Sequence, residues 1–264
     1  MNAVRGEVAR MMATRLPLWT LLVAVCCGGL LPGVLAIVGP ENANPPMPGL
    51  DTAEGVALLL GLGGVLLFVP AVIGTLAVTA EYRHRTIGTT FLAEPRRGVV
   101  VGAKLVVYAA LGLAYGVVSS VTAGLVLVAA AAMRGQHLGL PAEALLTVLA
   151  QLALAAAAYM LIGVGIGALT RNTLVAMGVV LGYFYFLEYV LMLIPGVNTL
   201  YPYLPGGATA SLTRFTFLVD AIAAETPLQA APLLSPLGGA AVLVAYALVA
   251  SGVAVIAPLR RDLR

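Results

Sequence analysis

Long apolar runs separated by polar connectors make up most of this chain. Six of the runs are long enough to cross a bilayer as a helix, which takes about 20 mostly apolar residues. Their continuous Leu, Val and Ala content lacks the two-residue alternation of barrel strands, so each run is predicted to be a helix. The predicted spans are residues 17–38, 55–80, 105–133, 143–169, 174–194 and 236–258.

The remaining segments complete a single-domain, all-α integral membrane fold. Residues 1–16 mix arginines with apolar side chains, which predicts a short elbow helix in the membrane interface. A secretory signal cleaved after Ala36 is the competing interpretation, and the length of the first apolar run disfavours it. In the connector 195–235, prolines and glycines interrupt a moderately apolar stretch, which predicts re-entrant or outer helices between the fifth and sixth spans.

The composition and the positions of the positive charges predict where the chain resides. With 61% hydrophobic and 9% charged residues, it cannot bury its apolar surface as a soluble domain. If both termini are cytoplasmic, only Arg134 and Arg214 of the 14 Lys and Arg residues lie outside, as the positive-inside rule requires. Abundant Ala, Gly and Arg indicate a GC-rich bacterial genome. We therefore expect a multi-pass protein of a bacterial inner (plasma) membrane, in contact with lipids and not with nucleic acid.

The cytoplasmic connector 81–104 contains more than arginines that set topology. It has two acids, Glu81 and Glu94, a short apolar patch around Phe91, and a helix stop before Pro95. A loop that only sets topology and touches anionic head groups would explain the arginines alone. A short helix with an apolar ridge and a charged rim suits a groove on a soluble partner.

This connector resembles that of type-2 ABC export permeases. The loop after their second helix reads, roughly, Glu-aromatic-x-x-x-Thr, Leu-x-x-Pro-x-x-Arg and a Lys at the start of the third helix. The matching residues here are Glu81, Tyr82, Thr86, Leu92, Pro95 and Lys104. Arg96 and Arg97 follow the proline one or two positions on, which departs from the family spacing. Leu204 to Ala208 is similar to the Leu-Pro-x-x-Ala feature after the family's fifth span.

The resemblance implies a permease subunit that pairs with a second copy or homologue and with separate cytoplasmic ATP-binding cassette subunits. The exported substrate would be hydrophobic or amphipathic, such as a drug, peptide or lipid. The connector would be the coupling helix that docks on the ATPase. The implied docking residues are Glu81, Tyr82, Arg83, Arg85, Thr86, Ile87, Phe91, Leu92, Glu94, Pro95 and Arg97.

No catalytic or cofactor site is expected in the chain itself. It lacks a G-x-x-x-x-G-K-[ST] phosphate loop, so ATP and Mg²⁺ would belong to the partner subunit. No span contains the paired groups of an intramembrane enzyme, and His84 and His137 fall on opposite predicted sides, so no metal site is expected. A non-transporting membrane sensor or assembly subunit that works with an ATPase remains the alternative function.

Glu188 is the ionisable residue inside the fifth predicted span, in a run with Tyr185 and Tyr189. A charged group at membrane depth is a functional candidate, so these residues could line a substrate path and Glu188 could contact a polar or cationic substrate or a proton. The alternative is that Glu188 reaches water at the outer interface or pairs with Arg214, while the tyrosines form an interfacial belt.

Overall fold

The computed structural model describes residues 2–44, 46–84, 96–225 and 232–259, apart from the side chains of residues 2, 97, 225 and 257–259. All regular structure in this part of the chain is helical. The α-helices are α1 Asn2–Met12, α2 Leu16–Val38, α3 Ala53–Val65, α4 Phe68–Arg83, α5 Arg97–Met133, α6 Ala142–Thr170, α7 Thr173–Leu181, α8 Glu188–Met192, α9 Pro205–Thr213, α10 Phe217–Glu225 and α11 Pro236–Leu259. A π-helical segment covers Gly182–Leu187, and 3-10 helices cover Pro40–Asn42 and Asn198–Tyr203.

Six helical segments in the described ranges are long and apolar enough to cross a membrane. The predicted all-helical chain with six candidate spans is therefore confirmed. The segments are Leu16–Val38, Ala53–Arg83, Gly98–Met133, Ala142–Thr170, Thr173–Met192 and Pro236–Ile256.

The second candidate span is broken where the sequence predicted one continuous helix. Regular α-helix stops at Val65 and resumes at Phe68. Pro70 explains the break, because proline lacks an N–H and its ring clashes with the carbonyl four residues earlier, here that of Leu66. The bend separates α3 from α4 within one apolar segment.

The third candidate span is longer than predicted, because α5 begins at Arg97 instead of residue 105. At about 1.5 Å per residue, its 37 residues extend roughly 55 Å, well beyond a hydrocarbon core of about 30 Å. The connector between α4 and α5 is thereby reduced to residues 84–96, of which 85–95 lie outside the described residues.

Helix α6 lies at the centre of the bundle, in contact with α4, α5 and α11. Its approach to α4 is backbone to backbone: a Cβ at Gly163 would overlap the Ala71 carbonyl, and one at Gly74 would overlap that of Met160. Small residues allow this approach, and in lipid the resulting van der Waals contact holds helices together. The two glycines therefore set how α4 and α6 pack.

The first, fifth and sixth candidate spans bury much less of their surface than the second and fourth. In their most apolar parts, the second and fourth candidate spans have 50% and 44% of their residues buried, against 28%, 22% and 22% for the first, fifth and sixth. Leu174 of α7 and Leu237 of α11 are 81% and 83% exposed. In a bilayer, lipid chains solvate such side chains, so these spans need no internal partner on that face.

Two short helices, α9 and α10, follow the fifth candidate span, in the connector where the sequence predicted outer or re-entrant helices. Helix α9 has nine residues and is too short to cross a bilayer, and nearly all of it is buried. Its backbone is therefore shielded by protein, packed mainly against α11. Short helical elements at such a position need this protection.

A matched pair of glycine substitutions tests the α4–α6 contact. We expect Gly163→Ala to lower the free energy of unfolding by about 1–3 kcal/mol, because the new methyl group overlaps the backbone of α4. Gly178→Ala, at an exposed helical glycine with open space around it, is expected to be neutral or stabilising by up to about 1 kcal/mol. Thermal unfolding in detergent measures both, and equal effects would contradict the packing described.

Candidate functional site

Four charged side chains form a compact cluster at one end of the bundle, which we call the inner cluster: Glu7, Arg10, Glu81 and Lys104. Lys104 Nζ donates to Glu81 Oε1 at 2.8 Å and also to Glu7 Oε1. Arg10 Nη1 donates to Glu7 at 3.3 Å and to Glu81 at 3.2 Å. The Lys104 and Glu7 side chains are only 6% and 5% exposed. The cluster joins α1 to both α4 and α5.

Glu7 reaches this cluster because of its place on α1. Val4, Glu7, Val8 and Met11 follow the i, i+3, i+4, i+7 spacing of one helix face, and Met11 packs against the bundle core. An acid on an otherwise apolar stripe needs a buried partner, and Lys104 provides it. Glu7 was not among the residues predicted from the sequence to form a site. An acid at an apolar position of the helix could have indicated it.

The residues predicted to dock an ATPase are only partly described. Glu81 lies in the inner cluster, and Tyr82 lies beside Arg171, whose guanidinium is 5.3 Å from the ring centroid. Arg83 is exposed. The predicted docking residues outside the described ones are Arg85, Thr86, Ile87, Phe91, Leu92, Glu94 and Pro95, together with the side chain of Arg97. The predicted coupling segment 81–104 therefore begins at Glu81 and ends at Lys104, and these two residues form a salt bridge with each other.

Glu188 forms a second buried polar site, far along the chain from the inner cluster. It is 4% exposed, and its oxygens accept from the backbone N–H of Gly206 at 3.0 and 3.2 Å. Gly206 is in the first turn of α9, behind Pro205 at the first helical position. Because first-turn N–H groups have no partner within the helix, the carboxylate completes the N-terminus of α9.

The three residues predicted to line a substrate path do not share a face. The π-helical segment Gly182–Leu187 shifts the register of the fifth candidate span just before Glu188, which turns that side chain inward. Tyr185 is 48% exposed and packs its ring edge-on to Phe68 at 4.8 Å, whereas Tyr189 is partly buried near the carboxylate. The alternative predicted from the sequence was a salt bridge between Glu188 and Arg214. The salt bridges among the described residues do not include this pair.

The cavity beside Glu188 is small, and many of its lining residues carry hydroxyl groups. A cavity of about 40 Å³ lies beside it, lined by Tyr201, Thr209 and Thr213 among others. This is room for roughly two water molecules and not for an organic molecule of drug size. Burial raises the pKa of Tyr201, and the neighbouring Glu188 carboxylate raises it further, so the hydroxyl of Tyr201 stays protonated.

A larger cleft lies between α3 and α10. Its volume is about 480 Å³, and Leu58 and Phe217 are among its apolar lining residues. Glu54, Arg214 and Asp220 supply charged groups to the lining. Pockets of about 300–1,000 Å³ with apolar walls and a few polar groups are the usual size for small-molecule sites.

No metal centre is evident: within the described ranges, no three His, Cys, Asp or Glu side chains come close enough to hold an ion. Compared with known proteins, the chain matches no family model and no curated sequence. The fold and its polar sites define a class, that of all-helical proteins with six candidate membrane spans.

The inner cluster predicts a strong dependence of stability on Lys104. We expect Lys104→Met to lower the free energy of unfolding by about 3–5 kcal/mol, because the buried Glu7 and the largely buried Glu81 lose the cation buried beside them and keep only their contacts with the more exposed Arg10 among the pairs of this cluster. Arg134→Met, which breaks a more exposed pair with Glu41, is expected to cost about 1 kcal/mol or less. Thermal unfolding in detergent measures both.

A compensating variant separates charge from packing in this cluster. Adding Glu7→Gln and Glu81→Gln to Lys104→Met removes the two carboxylate charges that the lysine had balanced and should restore part of the lost stability. If Lys104→Met costs no more than Arg134→Met, the cluster is no stronger than a surface pair.

Proposed function

We propose that this chain is the membrane-spanning permease subunit of an ABC-type exporter. It would move a hydrophobic or amphipathic substrate, such as a drug, peptide or lipid, with ATP hydrolysed by a separate cytoplasmic subunit. The observation that carries the proposal is the inner cluster, which fastens α1, α4 and α5 together at the base of the connector 84–96.

The inner cluster suits the transmission of force from a docked partner. Glu81 precedes the connector and Lys104 follows it, so the two ends are tied to each other and to α1. Helix α5 continues from there through the bundle as one uninterrupted element of 37 residues. A push on the connector would therefore move α4, α5 and α1 as a unit, which is what a coupling helix requires.

The end of the bundle opposite the inner cluster has features that suit a release site, because Glu54 and Glu81 lie at opposite ends of the second candidate span. The 480 Å³ cleft between α3 and α10 is apolar with three charged groups in its lining, a chemistry that suits amphipathic cargo. The cavity at Glu188 is too small for such cargo. We therefore place substrate contact at the cleft and not at Glu188 in this conformation.

The weakly buried spans suit the partners that the proposal needs. The first, fifth and sixth candidate spans expose apolar faces that lipid or a second permease copy would cover. Both termini would lie on the cytoplasmic side of a bacterial inner membrane, together with the inner cluster and the connector.

Co-purification tests the proposal. The chain is co-expressed with the ATP-binding cassette subunit encoded beside it and purified through a tag on the chain alone. We expect the ATP-binding subunit to co-purify, and Phe91→Ala or Leu92→Ala to reduce its recovery by about tenfold or more, as buried interface anchors do. Leu125→Ala, at an exposed apolar position within α5, is the matched control and should leave recovery unchanged.

The outcomes separate the exporter from the alternative functions. If no ATP-binding subunit co-purifies with folded chain, the proposed function is wrong. If it co-purifies but ATP drives no movement of an amphipathic dye into inverted vesicles, the membrane sensor or assembly role takes its place.

A further inference from the structure

The contact between Glu188 and Gly206 joins the fifth candidate span to the start of a buried helix. Both carboxylate oxygens approach one backbone N–H, at 3.2 and 3.0 Å. The contact is so close that a Cβ at Gly206 would overlap Oε2. At the first turn of α9 the helix dipole favours a negative charge, so this contact favours the ionised form of the Glu188 side chain.

Among the residues that the structure describes, the groups that face Glu188 supply no positive charge. Every titratable group that interacts with it in the described part of the chain is a tyrosine. They are Tyr183 from the π-helical segment, Tyr189 from α8, Tyr159 from α6, Tyr201 from the 3-10 helix before α9, and Tyr246 from α11. Tyr183 is within hydrogen-bonding reach of the carboxylate. The ionised form of Glu188 therefore depends on hydroxyl groups and on the N–H of Gly206.

The opposite end of α9 is held by different chemistry. Arg214 ends the helix in the left-handed conformation, with φ of 57°, and Phe215 follows with 6% exposure. The Phe215 ring packs where a Cβ on Gly61 of α3 would lie. One end of α9 thus depends on apolar packing, which is indifferent to pH, and the other on a carboxylate.

We propose that Glu188 is a proton-sensitive latch on α9. The ionised carboxylate holds the N-terminal end of α9 against the fifth candidate span, and protonation releases that end while Phe215 holds the other. The proton comes from water, for which the 40 Å³ cavity beside the carboxylate has room. Glu188 is then a positioning residue, and the latch does not depend on the proposed export function.

The direction of the pH effect follows from which form binds. The charged carboxylate binds the N–H of Gly206 more strongly than the neutral acid does. The latched arrangement is therefore favoured at higher pH, and α9 is released as the pH falls and Glu188 takes up a proton.

A reporter cysteine on α9 tests the latch in the full chain. Ala208, which is 0% exposed and lies near the N-terminal end of α9, is changed to Cys in a Cys26→Ala, Cys27→Ala background and reacted with a water-soluble maleimide in lipid nanodiscs. At neutral pH we expect slow labelling. Glu188→Gln, which keeps the shape but not the charge, should raise the rate about tenfold, since a charged acceptor binds an N–H about that much better than a neutral one.

Two further variants serve as a matched test and a control. Gly206→Ala should raise the labelling rate as Glu188→Gln does, because the methyl group displaces an intact carboxylate. Glu143→Gln, which neutralises an exposed acid in the first turn of α6, should leave the rate unchanged. Thermal unfolding establishes that each variant is folded before rates are compared.

A pH series completes the test, with rates divided by those of Thr216→Cys, an exposed position that reports the intrinsic reactivity of a thiol. We expect the corrected rate to rise as the pH falls when Glu188 is present, and to stay flat in Glu188→Gln. Equal neutral-pH rates with Glu and Gln at position 188, or a pH response that survives Glu188→Gln, would overturn the proposal. Failure here leaves the co-purification result untouched, so the two proposals stand or fall separately.

Discussion

The backbone contact between α4 and α6 is the interaction on which the arrangement of the bundle depends. In lipid, burial of apolar side chains contributes little free energy to helix association, so close van der Waals contact has to provide the driving force. Gly74 and Gly163 allow that contact by leaving space for the opposing carbonyl groups. Helices α5 and α11 then pack against α6, and α2 packs against α5.

Buried carboxylates place the short helices on this framework. Glu7 attaches α1 through Lys104, and Glu188 attaches α9 through the N–H of Gly206. Burying a carboxylate costs free energy unless it is paired or hydrogen-bonded. Each of these two carboxylates therefore favours the arrangement of its short helix in which its partner is within reach. The two contacts differ in kind: Glu7 has cationic partners, whereas Glu188 contacts a helix N-terminus and lies among tyrosines in the described part of the chain.

The difference between the partners of Glu7 and those of Glu188 underlies the proposed latch. The inner cluster pairs side chains of opposite charge and ties α1, α4 and α5 together beside the connector 84–96. A carboxylate held by an N–H loses its charge when it takes up a proton, so it can release what it holds. In the proposed latch, the N-terminal end of α9 can be released, whereas the cleft beside α10 borders the C-terminal end of α9 at Arg214 and Phe215.

By itself, the sequence determined the number and position of the candidate spans, because lipid requires about 20 apolar residues whose backbone groups are satisfied within the helix. It also singled out Glu188, since a lone acid in an apolar run is conspicuous. The sequence could not reveal what Glu188 binds, because Gly206 is 18 residues away and a π-helical turn sets the direction of the side chain. Nor could it pair Glu7 with Lys104, which are 97 residues apart. These pairings were decided only by the tertiary structure, because helix packing and not local sequence determines which buried charges come within hydrogen-bonding distance.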